Sequence, residues 1–157
     1  KDVPERVKYC LEKIQTASGH MMSLLNEVLD ISRIESGKIV LHRERTEMAD
    51  VIHEILVVVM PQAEAKRLQF RFHLGKMEQE CVMTDAVRLK QICLNLLSNA
   101  VKYTKEGRVD FSLSVEDEGS GGVRMRAVVT DTGIGIAPEF LERIFEPFER
   151  ESSSTGR

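Results

Sequence analysis

Between Val7 and Ile31 the chain places apolar or small residues at Val7, Cys10, Ile14, Ala17, Met21, Leu24, Val28 and Ile31. These spacings alternate between three and four, the period of a helix that lays one seam along other helices. A strand, with its period of two, does not produce them. Leu11, Leu25 and Leu29 widen the seam toward the broader face that a helical bundle needs. Pro4 suits a first helical turn, and Gly37, after Ser36, is a natural stop. Thirty residues of helix extend about 45 Å, more than the core of a small domain requires. The expectation is a protruding helix that packs against something else, although an ordinary amphipathic helix folded onto a following domain would carry the same pattern. His20, beside Met21 and Met22, reads as a packing residue and not as a catalyst.

Composition narrows the classes. A chain of 157 residues suits one domain, or a small domain with an attached helix. Hydrophobic residues at 42% and only 10 Gly and 4 Pro exclude collagen-like or low-complexity chains. With 25 acidic against 22 basic residues the net charge is −3, which disfavours a general nucleic-acid surface but not one local anion site. No apolar run approaches the ~20 residues of a membrane span, and the N-terminus lacks signal-peptide character. Cys10, Cys81 and Cys93 are odd in number and lack metal-site spacing, so they read as reduced thiols in a cytosolic setting.

Beyond Gly37 the periodicity changes. Ile39 to Arg45 suggests a short strand, and Ala49 to Arg67 a helix with Val51, Ile52, Ile55, Leu56 and Val59 on one face. Pro61 is expected to kink or divide that helix. Leu68, Phe70, Phe72 and Leu74 alternate with polar residues as a half-buried strand ending near Gly75, and Cys81 to Thr84 reads as another strand. Asp85 offers an N-cap for a helix through about Tyr103. Val109 to Val115 alternates again, a glycine-rich loop follows, and Val123 to Thr130 returns as a strand. Pro138 opens a short helix ending near Ile144. His53-Glu54 does not complete a zinc motif, because Val57 stands where the second histidine should be.

Three segments carry chemistry. In Asn95-Leu-Leu-Ser-Asn99-Ala-Val-Lys102-Tyr103-Thr104, the residues Asn95, Asn99 and Lys102 share one helical face. Carboxamide oxygens can ligate Mg²⁺ beside phosphate and water, and a lysine supplies positive charge for phosphate. In Asp131-Thr132-Gly133-Ile134-Gly135-Ile136, the glycines permit close approach of backbone, and Asp131 can accept a hydrogen bond from an exocyclic amine. Pro138 occupies the place of a third glycine, so a dinucleotide loop of the G-x-G-x-x-G kind is not formed. Phe145-Glu146-Pro147-Phe148 sets two aromatics around a turn. Alone, each segment could be a polar helix face, a tight turn or a core plug.

Together and in this order they resemble the ATP-binding catalytic domain of sensor histidine kinases. Asn95 to Thr104 is similar to the N box, Asp131 to Ile136 to the first glycine box, and Phe145 to Phe148 to the F box. Upstream, Leu29-Asp30-Ile-Ser32-Arg-Ile-Glu35-Ser-Gly37-Lys38 resembles the end of the second helix of the dimerisation and phosphotransfer domain. The resemblance implies an α+β fold, a two-layer α/β sandwich of the Bergerat type with a mixed sheet. Residues 1–37 would be the helix of a dimeric four-helix bundle and 38–157 the catalytic domain. It further implies ATP and Mg²⁺ as cofactors. Asn99 would ligate the metal with support from Asn95, Lys102 would meet phosphates, and Tyr103 would help cover the nucleotide. Asp131 would bind the adenine amino group, Gly133 and Gly135 would shape the pocket, and Phe145 and Phe148 would anchor the base of the ATP lid. The implied partners are a second copy of the chain and a response-regulator receiver domain, with no nucleic acid.

Two departures from the family pattern shape the expectation. The phosphoacceptor motif is absent, since none of His20, His42, His53 or His73 carries it, and so is the second glycine box. The chain is therefore expected to belong to a parent kinase without completing the reaction alone. Any membrane anchor would lie elsewhere in that parent, with this region on the cytoplasmic side. Related ATP hydrolases such as DNA gyrase place a glutamate one turn before the metal-binding asparagine; here that residue is Asn95, and an amide is no general base. The alternatives are such an ATPase, or a non-catalytic nucleotide-sensing or dimerisation module.

Overall fold

The seam from Val7 to Ile31 forms helix α1, Glu5–Glu35, entered through Pro4. The computed structural model describes residues 4–119 and 121–144, with backbone alone at several α1 positions; the readings of the His20 and Leu24 side chains lie outside this description. Helix α1 stops as expected. Gly37 takes φ +64°, its N–H donates to Ile34 O at 3.0 Å, and Lys38 N–H donates to Arg33 O at 2.9 Å. These are the paired bonds of a Schellman cap, which requires a left-handed residue at the position of Gly37. Val7, Leu11, Ile14, Met21, Leu25, Val28 and Leu29 are all exposed. The chain divides into two compact units, Lys1–His42 and Arg43–Arg157.

The second unit begins with strand β1, Glu44–Glu47, paired antiparallel to β3, Cys81–Thr84. The strand expected from Ile39 to Arg45 is thus shifted toward the C-terminus. The ladder ends where Glu44 meets Thr84, because the next residue of the partner, Asp85, already caps a helix. Ile39, Val40 and Leu41 are left exposed with no described strand beside them.

Helix α2, Met48–Ala65, runs unbroken through Pro61, against the expectation that this proline would divide it. Proline removes the bond to the carbonyl of residue 57, and Val57 lies on the water-facing side at 57% exposure, where solvent can take that carbonyl. The opposite side, Met48, Val51, Ile52, Ile55, Val59 and Ala63, is buried.

Strands β2, Gln69–Met77, β4, Arg108–Asp117, and β5, Val123–Asp131, form a mixed sheet in the order β2-β4-β5. β2 pairs parallel with β4, and β4 antiparallel with β5. Gly75 does not end β2. A Cβ there would lie 3.0 Å from Ser114 Cβ, so this glycine marks a close approach of two strands where the register shifts between Leu74 and Met77. In β4 every second residue, Val109, Phe111, Leu113 and Val115, is buried. Helix α3, Ala86–Tyr103, packs with α2 over this sheet, giving two layers around one core. Lys90 and Glu54 form an ion pair between the two helices. After β5 the chain makes a 3₁₀ turn, Pro138–Phe140, in place of a longer helix.

Candidate functional site

Helix α3 is organised by its two ends and its two faces. Asp85 Oδ1 accepts Arg88 N–H at 3.0 Å and caps the start. Cys93, Leu97, Ala100 and Val101 face the core, and burial pushes the Cys93 thiol up from its ordinary value. At 100° per residue, Asn95, Asn99 and Lys102 fall about 180° from that stripe, and all three are exposed. Asn99 Nδ2 donates to Asn95 Oδ1 over a long 3.5 Å, which turns the Asn99 carbonyl oxygen away from its neighbour. Lys102 Nζ stands 5.0 Å from the centre of the Tyr103 ring.

The glycine segment is held against the end of this helix. Asp131 is the last residue of β5, and Thr132 returns to β4: its N–H donates to Arg108 O at 3.1 Å, and its Oγ1 accepts Arg108 N–H at 3.0 Å. Asp131 Oδ1 accepts Gly133 N–H at 2.8 Å, and Ile134 N–H donates to Tyr103 O at 3.4 Å. A Cβ at Gly133 would sit 2.7 Å from Tyr103 O, so only glycine lets the loop lie so close to α3. Gly135 takes φ +70° with nothing near it, and Ile134 and Ile136 are exposed. Thus Asp131, Gly133 and Tyr103 are brought together at one end of the Asn95–Asn99–Lys102 face. Phe145 and Phe148 lie outside the described residues.

This surface suits a polyanion with a hydrogen-bonding base better than it suits a metal cage. Among the described residues no three of His, Cys, Asp or Glu gather as a metal site. One carboxamide oxygen is instead the sort of single ligand that Mg²⁺ takes when phosphates and water supply the rest. His53 is exposed on α2. The concavity lined by Glu116, Asp117, Glu118 and Arg124 lies at the other end of β5, about 26 Å of strand from Asp131, and its acidic lining disfavours anions.

Three contributors were not singled out in the sequence. Thr132 stands in the sequence as a mere link between Asp131 and Gly133, yet it locks the loop to β4. Gly107, at φ +110°, leaves room for it: a Cβ there would be 2.2 Å from Thr132 Oγ1. Lys66, 36 residues from Lys102, donates to carbonyls at the end of α3. No local pattern could have announced a contact over that separation.

Residues 84–157 match the family of histidine kinase-, DNA gyrase B- and HSP90-like ATPases. The sensory/regulatory protein RpfC of Xanthomonas campestris pv. campestris is 36% identical over 151 residues, which is 96% of this chain and 21% of that protein. The sensor protein GacS of Pseudomonas syringae pv. syringae is 33% identical over 154 residues, covering 98% of this chain and 17% of that protein. The chain belongs to the sensor histidine kinase family. Among solved structures, full-length ShkA in complex with AMPPNP superposes with a TM-score of 0.71 at 29% identity, over 89% of this chain and 29% of that one. ThkA in complex with the response regulator TrrA gives 0.61 at 26% identity, over 96% and 42%. The chain spans about a fifth of the length of the curated relatives it matches. The family match begins at Thr84 and takes in α3, β4, β5 and the glycine loop, and with them Asn95, Asn99, Lys102, Tyr103 and Asp131.

Proposed function

We propose that this chain is the ATP-binding catalytic region of a sensor histidine kinase, which transfers the γ-phosphoryl group of ATP to a histidine for relay to a response-regulator aspartate. The observation that carries this reading is the seating of Gly133 and Ile134 on the carbonyl of Tyr103. That contact sets a carboxylate able to read a base beside a helix face able to hold phosphates and metal. Asp131 accepts the exocyclic amine of adenine through Oδ2, the oxygen its own turn does not use. Tyr103 covers the base, Lys102 swings from the Tyr103 ring to the phosphates, and Gly133 and Gly135 keep the loop thin enough for close approach. Asn99, supported by Asn95, holds Mg²⁺, which neutralises phosphate charge when bound. Phe145 and Phe148 anchor the lid.

Asn95 favours transfer over hydrolysis, because its amide cannot take a proton from attacking water. None of His20, His42, His53 or His73 is read as the acceptor. The exposed apolar seam of α1 belongs in a bundle with a second copy, with residues 1–37 as the dimerisation helix and 38–157 as the catalytic domain. No described helix is long and apolar enough to cross a membrane, and the reading places this region on the cytoplasmic side of its parent.

Calorimetric titration of the protein with MgATP and MgGTP, alongside Asp131→Ala, tests the site. Selective ATP binding that Asp131→Ala abolishes is expected, since a site built to pair a polar group rejects analogues that leave it unpaired. Equal binding of both nucleotides, unaffected by the substitution, would refute it. Sedimentation of Leu25→Lys beside the wild type tests the bundle, with loss of the dimer expected.

A further inference from the structure

The last carbonyls of a helix need partners that the helix does not supply. In α3, Ala100 O accepts Thr104 N–H at 3.1 Å and Thr104 Oγ1–H at 2.7 Å. Tyr103 O accepts Ile134 N–H from the glycine loop. The remaining carbonyls converge on one side chain: Lys66 Nζ donates to Val101 O and Lys102 O, both at 2.8 Å, and to Thr104 O at 3.5 Å. An ammonium has three protons, and here three carbonyls are placed to take them. They lie on both sides of Tyr103, whose own carbonyl carries the loop.

The end of α2 presents Lys66 for this contact. Lys66 is its C-cap, Arg67 N–H donates to Glu64 O at 2.8 Å, and Leu68 N–H donates to Ala63 O at 3.0 Å. This is a second Schellman cap, with Arg67 in the left-handed position at φ 58° and with Leu68 and Ala63 both buried beneath it. The backbone of Lys66 is thereby fixed by its own helix while its ammonium fixes the next one. The C-terminal end of a helix also carries partial negative charge, a poor neighbour for phosphates, and Lys66 offsets it.

We infer that Lys66 is a positioning residue for the nucleotide site: by clamping the carbonyls on either side of Tyr103, it holds the platform on which Gly133 and Ile134 rest. Its consequence for binding rests on the proposed function; its consequence for the loop does not. The test is therefore run first without nucleotide. In the 157-residue protein, amide hydrogen exchange is followed by NMR in wild type, Lys66→Met and Lys66→Arg. Lys66→Met keeps the length of the apolar stem and loses every donor. Exchange at Ile134 is expected to accelerate about tenfold while Phe111 and Leu113 in the core strand hold their protection, and Lys66→Arg is expected to restore Ile134. With MgATP, measured where the variant is fully folded, Kd is expected to rise about tenfold for Lys66→Met and little for Lys66→Arg. Unchanged exchange at Ile134 would overturn the inference, as would uniform acceleration through α3 and β4, the signature of a residue that only stabilises. Should Lys66→Met not fold, Lys66→Gln, with two donors and no charge, enters the same measurements. A wild type that binds no ATP would defeat the proposed function, and the exchange result would still decide the role of Lys66.

Discussion

Replacing Gly133 by alanine adds one methyl group where the two halves of the site meet. The added Cβ would lie 2.7 Å from Tyr103 O, 2.7 Å from Asp131 Oδ1 and 3.0 Å from Tyr103 C. Ordinary contact begins near 3.4 Å, so the loop or its neighbours must give way by about 0.7 Å, the difference between 3.4 and 2.7 Å. Tyr103 O belongs to helical backbone and has little room to recede; the Asp131 side chain can rotate. Rotation breaks its bond to Gly133 N–H, and retreat of the loop stretches the Ile134–Tyr103 bond, already 3.4 Å, out of range. Each loss costs about 1 kcal/mol. ATP affinity is therefore expected to fall by about ten- to thirtyfold, with Asp131 displaced from the base. Global stability should fall by about 1–2 kcal/mol, the cost of those bonds, because the core around Phe111 and Leu97 is untouched. Calorimetry with MgATP reads the first quantity and urea unfolding the second. Gly119→Ala is the control: φ is +75° there, with nothing within 4 Å, so it introduces backbone strain away from the site. Wild-type affinity in Gly133→Ala, or an affinity loss matched by Gly119→Ala, would refute the reasoning.

Phe111 is fully buried with its ring centre 5.4 Å from that of Phe72, and Phe111→Ala should cost about 3–5 kcal/mol by urea unfolding, much of a typical domain's stability. Arg67→Gly should be neutral or stabilising by up to about 1 kcal/mol, because relief of the left-handed backbone offsets the entropy of glycine; a clear loss in Tm would contradict the cap geometry. In the folded protein a thiol reagent should label buried Cys93 only on unfolding, since burial both shields that thiol and disfavours its thiolate. Glu78 is held below the usual carboxylate range by the Lys76 ammonium and then by Asp117 N–H. Its contribution is present at neutral pH and lost as pH falls through that depressed value. Glu78→Gln should therefore remove the acid-dependent loss of amide protection at Asp117.

Elements with unambiguous period were legible from the sequence. The α1 seam, the alternation of β4 and the Asp85 cap of α3 are local patterns with local causes. Errors arose where distant partners decide. β1 starts at Glu44 because β3 runs out at Thr84, and Gly75 sits inside β2 because Ser114 of the neighbouring strand lies close beside it. The intrinsic cost of Pro61 predicts a break in α2, and the exposed side of that helix lowers the cost. For the site, the sharing of one exposed face by Asn95, Asn99 and Lys102 followed from helical spacing. The clamp by Lys66 and the lock by Thr132 did not, since each joins residues more than twenty positions apart.

The meeting of the α3 face with the glycine loop follows from strand lengths. Four residues, Thr104 to Gly107, link the end of α3 to the start of β4, so these two points are neighbours. β4 then runs out ten residues and β5 returns nine in antiparallel register, with Asp117 opposite Val123 and Asp131 opposite Val109. The chain is delivered back to the start of β4, and so to Tyr103. A slip of two residues would preserve the inward set of Val109, Phe111, Leu113 and Val115 yet move Asp131 by about 7 Å, beyond reach of the helix end. Burial alone therefore fixes which face β5 presents but not where it stops. The bonds of Thr132 to Arg108 and of Ile134 to Tyr103, together with the bare Cα of Gly133, select among registers that the core would tolerate equally.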